Sequence, residues 1–282
     1  MICAWKELTA ILPRWLQQEM DEHSCQALQE IRLRLNSPPE LIHQNGSCVL
    51  SRTVCKEDLT YCVNVASRYS PWSAATMSEG FLTIAGGHRI GVCGEAIVHN
   101  GEMTGIRHIR SLCIRVARDY PGISKDLYMR DESMLILGSP GTGKTTLLRD
   151  LVRKISDRRS GSVAVVDERG ELFPLCDGTS CFDTGKRTDI LTGCNKVSGI
   201  DIVLRTMGPG VIAVDEITAE HDCQAIIRAA WCGVQLLATA HASSMQELRS
   251  RTVYAPLLKS GIFRTVVVLN RDKSWQAERY VL

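Results

Sequence analysis

A chain of 282 residues that is 44% hydrophobic can fill one large or two medium-sized cores. Its 33 Lys and Arg stand against 31 Asp and Glu, and both halves of the chain are balanced, so no basic tail announces a nucleic acid or an anionic membrane. The twelve cysteines are scattered without a C-x-x-C, and the nearest pair, Cys176 and Cys181, has no second pair at zinc-ribbon spacing; they read as small buried hydrophobes of a reducing compartment.

The first 20 residues carry Lys6, Glu7 and Arg14 through their apolar stretch, which is unlike a signal peptide. No run approaches the ~20 apolar residues of a membrane span. The expectation is a cytoplasmic protein, whatever it attaches to. Residues 1–30 read as short helices interrupted at Pro13. Ile31, Leu33 and Leu35 alternate with Arg32 and Arg34, the period-two pattern of a half-buried strand. Leu41–His43 and Cys48–Leu50 flank the hairpin turn Asn45-Gly46, and a helix follows at 56–69. Residues 81–118 return to strands, FLTIA, HRIGVCGEAIV and SLCIRVAR, among which Arg107, Arg110, Arg115 and Arg118 cluster on what reads first as a solvated sheet face. A turn within residues 121–133 marks the boundary, giving an α+β N-terminal domain over 1–125 and a second domain over 126–282.

The second domain alternates strands and helices, as a mostly parallel sheet requires. Strands are expected at Met134–Leu137, Ser162–Asp167, Val211–Asp215, Gln235–Ala240 and Arg264–Leu269, with helices at 144–157, 219–232 and 244–252 and a closing hairpin around Asp272-Lys273. The first strand runs into Gly138, Ser139, Pro140, Gly141, Thr142, Gly143, Lys144, Thr145 and Thr146, which fill the G-x-x-x-x-G-K-[ST] pattern in the strand-then-helix setting that its mechanism needs. The glycines let backbone N–H groups approach phosphate oxygens. Lys144 is placed to reach the β- and γ-phosphates, Thr145 to put its hydroxyl on Mg²⁺, and the helix N-terminus to favour the same anion.

Three further strands end in polar residues at their carboxyl ends, where open parallel sheets bind ligands. VIAVDEI at 211–217 offers Asp215 for Mg²⁺ and Glu216 to polarise water. SVAVVDERGEL at 162–172 offers Glu168 as a second general base, or a strand-end turn with a local Arg–Glu pair around Arg169. LLATAHA at 236–242 offers Thr239 and His241, either of which can follow the γ-phosphate. The guanine-reading pattern N-K-x-D fails at Asn195-Lys196-Val197-Ser198 and at Asn270-Arg271, which favours ATP.

The order GSPGTGKTT, VVDERGE, VIAVDEI, TAHA is similar to the phosphate loop, acidic box, second nucleotide motif and histidine box of type II and type IV secretion ATPases. EIRLRLNSPPELI, TIAGGHRIGVCGEAIV and SLCIRVAR extend the likeness, and across residues 25–282 the chain resembles the sporulation stage III AA family of that superfamily. The resemblance implies an α/β RecA-like P-loop motor behind a smaller α+β domain, acting as a self-assembled ring, commonly a hexamer. It further implies docking on envelope proteins of the same sporulation operon, between mother cell and forespore. By position it implies phosphate and Mg²⁺ binding by Lys144 and Thr145, second-motif roles for Asp215 and Glu216, and acidic-box and histidine-box roles for Glu168 and His241. The chain departs from many secretion ATPases in carrying Asp215 where they have glycine, which leaves the general base open between Glu168 and Glu216. It also lacks their four-cysteine metal module.

The reading is an ATP hydrolase with Lys144, Glu216, Glu168 and His241 as its chemical groups, and with Arg110, Arg115 and Arg205 as arginines that could serve a nucleotide. Two rivals share the fold: a nucleic-acid motor, which the 5% aromatic content and balanced charge disfavour, and a nucleotide-gated scaffold without turnover.

Overall fold

The computed structural model describes residues 1–20, 28–43, 45–68, 80–127, 131–157, 162–176 and 178–279. The expected helical residues 21–27, residue 69, residues 128–130 of the boundary segment and the last residues of the closing strand lie outside these. Contacts group the chain into two units, Met1–Asp119 with Pro174–Phe182, and Tyr120–Phe173 with Asp183–Leu282.

In the first unit, strands β1 (Leu28–Arg34), β2 (Glu40–His43), β3 (Gly46–Val49), β4 (Phe81–Thr83), β5 (Arg89–His99) and β6 (Glu102–Arg115) form an antiparallel sheet in the order β3-β2-β1-β6-β5-β4. Alternation along the strands buries Ile31, Leu33, Ile90, Val92, Leu112 and Ile114 on one face. Against that face pack Leu8 of helix α1 (Trp5–Ala10), Leu16 of α2 (Arg14–Glu19) and Leu59, Cys62 and Val63 of α3 (Lys56–Ala66). Pro13 sits at the N-cap of α2 and divides it from α1, as its missing N–H dictates. β6 begins at Glu102, nine residues earlier than SLCIRVAR suggests, because it pairs with β5 almost to the Asn100-Gly101 turn. His88 is buried, with Nε2 2.8 Å from the Ala4 carbonyl and Nδ1 accepting the Ala117 N–H at 3.0 Å. The short strands β9 (Leu175–Cys176) and β10 (Thr179–Ser180) make a hairpin belonging to this unit; Gly87, at φ 79°, has no Cβ where the Phe182 ring and Pro174 approach it.

In the second unit, β7 (Met134–Gly138), β8 (Val163–Asp167), β11 (Thr188–Thr192), β12 (Val211–Ile217), β13 (Gln235–Ala240), β14 (Thr265–Leu269) and β15 (Trp275–Arg279) form one sheet in the order β11-β8-β12-β13-β7-β14-β15. Only β15 runs antiparallel. Every residue of β7 and β8 is buried, the signature of parallel strands covered on both faces. The helices are α4 (Lys144–Ser156), α5 (Lys196–Thr206), α6 (Glu220–Trp231), α7 (Met245–Ser250) and α8 (Ala255–Lys259). β11, α5 and α8 are additions to the sequence-based expectation. Asp150 on α4 accepts the N–H groups of Gly122 at 2.8 Å and Ser124 at 2.7 Å, while Lys154 donates to the carbonyls of Ser124 and Leu127, so residues 122–127 are strapped to α4. No helix among the described residues is long and apolar enough to cross a membrane. The described cysteines are free thiols, but only Cys62 and Cys223 are buried, so the expectation that most are buried hydrophobes fails.

Candidate nucleotide site

β7 ends at Gly138, where an added Cβ would lie 2.4 Å from the Thr142 hydroxyl, and the loop then turns through Gly141 at φ 75° and Gly143 at φ 101° into α4. These left-handed positions favour glycine. The Ser139 carbonyl accepts from the Thr142 hydroxyl at 2.9 Å, the Thr142 N–H at 3.3 Å and the Lys144 ammonium at 3.1 Å. Lys144 is buried; desolvation pulls its pKa below the ordinary lysine value, against the opposing pull of Asp215 and Glu216.

The Lys144 ammonium also lies 3.0 Å from His241 Nδ1, and His241 Nε2 lies 2.8 Å from Glu216 Oε1. An ammonium can only donate, so Nδ1 accepts and the ring proton sits on Nε2, directed at the carboxylate. His241 thus bridges the cation of the loop to the acid of β12. The strand order explains it: β13 lies between β7 and β12, so its carboxyl end falls between their chemical groups.

Asp215 and Glu216 do not follow simple alternation. The β12–β13 pairing shifts register between Val214 and Ile217, and Glu216 adopts φ 56°, a left-handed conformation uncommon for a residue with a side chain. Thr239 holds this bulge by donating to Asp215 Oδ1 at 2.5 Å and accepting the Glu216 N–H at 2.8 Å. Thr145, at the start of α4, donates to Asp215 Oδ2 at 2.7 Å. A hydroxyl and a carboxylate in contact are hard oxygen donors that suit Mg²⁺. Among the described residues there is no cluster of three or more His, Cys, Asp or Glu groups able to hold a metal.

β8 supplies the third part. Buried Asp167 accepts the N–H groups of Glu171 at 3.0 Å, Leu172 at 2.9 Å and Phe173 at 2.8 Å, and Arg149 of α4 donates to the Leu172 carbonyl at 2.6 Å and the Glu171 carbonyl at 3.1 Å. Burial raises the Asp167 pKa, opposed by those N–H donors. The strand-end turn is therefore real, but the local Arg–Glu pair is not what Arg169 and Glu168 make. Arg169 lies 3.7 Å from Glu216, and Glu168 Oε2 lies 2.5 Å from the ammonium of buried Lys196. Lys196 opens α5 behind Asn195, whose side chain caps the Ser198 N–H at 2.9 Å. Asn195 before an apolar run was the only sequence signal for that helix. Asp167, Glu168, Arg169, Lys196, Asp215 and Glu216 line one cleft. Of the arginines weighed above, Arg115 lies 3.6 Å from Glu30 and Arg205 donates to the Asp201 carbonyl at 3.1 Å in its own helix.

The profile of the family described as sporulation stage III, protein AA matches residues 5–278. Stage III sporulation protein AA of Bacillus subtilis strain 168 is 35% identical over 280 residues, which span 95% of this chain and 91% of that protein. Among solved structures, the ATPase DotB of Legionella pneumophila superposes with a TM-score of 0.56 at 16% identity, covering 94% of this chain and 79% of its own. The pilus retraction motor PilT, solved with bound ADP, gives 0.60 at 15% identity, covering 86% and 74%. These two likenesses establish the RecA-like fold of secretion ATPases for the mostly parallel sheet, with the antiparallel sheet as an additional domain. By the match along nearly its whole length, the chain belongs to the sporulation stage III protein AA family.

Proposed function

We propose that this protein hydrolyses ATP with Mg²⁺ and that the cycle drives a membrane-associated assembly during sporulation. The observation that carries the reading is the convergence of Lys144, Thr145, Asp215, Glu216, Thr239 and His241 through contacts of 2.5–3.0 Å at the ends of three neighbouring strands. The N–H groups of the loop and the start of α4, with Lys144, bind the phosphates of ATP. Thr145 and Asp215 would hold Mg²⁺, which would supply positive charge to the phosphate oxygens. Glu216 polarises the attacking water. Thr239 fixes the backbone of Glu216, and His241 orients its carboxylate. Glu168, whose carboxylate is held by the Lys196 ammonium at 2.5 Å, stands as the alternative base.

The family membership and the likeness to an ATPase and a pilus retraction motor support a ring of like subunits, a hexamer in the secretion ATPases that the sequence resembles. The family resemblance implies attachment through the envelope proteins of the sporulation operon to the cytoplasmic side of the mother-cell membrane. Phosphate release from Mg²⁺-ATP by the purified chain tests the enzymatic claim: Lys144→Ala should lose nucleotide binding, and Glu216→Gln should bind but turn over slowly. Turnover that survives Glu216→Gln and is lost in Glu168→Gln would transfer the base to Glu168. A pull-down with the operon partners, with and without ATP, tests the attachment.

A further inference from the structure

We infer that Lys273, on the turn between β14 and β15, is a positioning residue of the phosphate loop that sets how tightly a nucleoside di- or triphosphate is held; the inference rests on the ATP reading above. Pairing of β14 with β7 sets Leu269 opposite Gly138, and the two approach so closely that a Cβ on Gly138 would lie 3.2 Å from both the Leu269 Cβ and its carbonyl oxygen. The turn after Leu269 therefore starts at the flank of the loop. Its shape is fixed. Asn270 N–H donates to the Ser274 carbonyl at 2.9 Å, and Asp272 accepts from the Ser274 N–H at 2.9 Å and hydroxyl at 2.6 Å. Lys273 itself is held at φ 70°, with its N–H on the Asn270 carbonyl at 3.1 Å.

From this position the exposed Lys273 side chain donates its ammonium to the carbonyl of Gly141. In a planar trans peptide the carbonyl and the following N–H point in opposite directions. An ammonium that fixes the Gly141 oxygen on the outside of the loop accordingly turns the Thr142 N–H inward. That N–H now makes only a 3.3 Å contact with the Ser139 carbonyl, which a phosphate oxygen can replace. The lysine also adds a positive charge beside an anion site without occupying it. Its action is on nucleotide affinity, through peptide orientation, and it leaves the water-activating groups untouched.

The test uses the whole chain with ADP and ATP in the presence of Mg²⁺. Lys273→Ala should weaken ADP binding about 5-fold by titration calorimetry and raise KM for ATP by the same factor, with kcat unchanged. Lys273→Arg should restore most of the affinity, and Arg271→Ala, two residues earlier on the same turn, should match the wild type. Unaltered ADP binding in Lys273→Ala, a fall in kcat at constant KM, or failure of arginine to rescue would each overturn the inference. A wild-type chain that binds neither nucleotide defeats the ATP reading and this inference together, whereas wild-type binding indifferent to Lys273 defeats the inference alone.

Discussion

The two sheets carry charge in opposite ways. On the antiparallel sheet, polar side chains alternate with buried ones, so Arg107 meets Glu95 at 2.6 Å with both side chains more than half exposed, and Arg32 meets Glu30 at 3.0 Å with both partly covered. On the parallel sheet the central strands β7, β8 and β12 carry only apolar residues until their carboxyl ends. Polar groups are therefore driven to the carboxyl ends, where Asp167, Asp215, Thr239 and the loop of Lys144 crowd together. The two histidines show the same contrast. His88 is sealed between two backbone groups, whereas His241 stands half-exposed between a cation and a carboxylate. Charge on the first sheet is dispersed and screened; on the second it is concentrated where chemistry can use it.

That contrast can be broken at several points, the largest effect coming first. Glu216→Gln should lower the ATP turnover number about 100-fold or more while nucleotide still binds, the usual range for removing a general base; single-turnover kinetics would measure it. Leu137→Ala, in a fully buried position of β7, should destabilise the second unit by about 2–5 kcal/mol in urea unfolding. A smaller loss would mean that the covered sheet collapses around the cavity.

The sealed histidine makes a prediction about acid. Burial lowers the His88 pKa below its ordinary value of 6.5, so the folded state holds the neutral ring where the unfolded chain takes up a proton. Its contribution is complete above pH 6.5 and is lost as the pH falls below that value toward the depressed folded one. Unfolding midpoints at pH 7.5 and 5.5 should differ in that direction, and the ring's NMR titration should lag behind that of a free histidine. The smallest effect belongs to the exposed pair: Arg107→Ala should change stability by no more than about 0.5 kcal/mol, and a larger loss would show that the open sheet depends on its surface charges after all.

The sequence disclosed the second unit through its strand ends. Four apolar runs each closing on a polar residue located the loop, both acids and His241, since burial and function act on adjacent residues there. It did not disclose α5. KVSGIDIVLRT contains Gly199 and several β-branched residues, all weak helix formers, and the reason for the glycine lies in the fold: a Cβ there would lie 2.4 Å from Val166 on β8. With the helix went Lys196, whose partner Glu168 is 28 residues distant and is reached only because β11 pairs in register beside β8. The left-handed backbone of Glu216 was equally hidden, because it arises from a register shift against β13 and not from any local turn residue. In the first unit, alternation revealed β1, while the length of β6 depended on a partner strand.

The hairpin of β9 and β10 has a practical corollary for dissecting the molecule. Since the chain passes from one unit to the other after Asp119, after Phe173 and after Phe182, no single scission of the polypeptide yields both units whole. Residues 1–119 expressed by themselves would lack the Phe182 ring and the proline that Gly87 makes room for. An autonomous version of the first unit has to be built by grafting residues 174–182 back onto it through a new linker, and the excision is to be closed by joining Phe173 to Asp183.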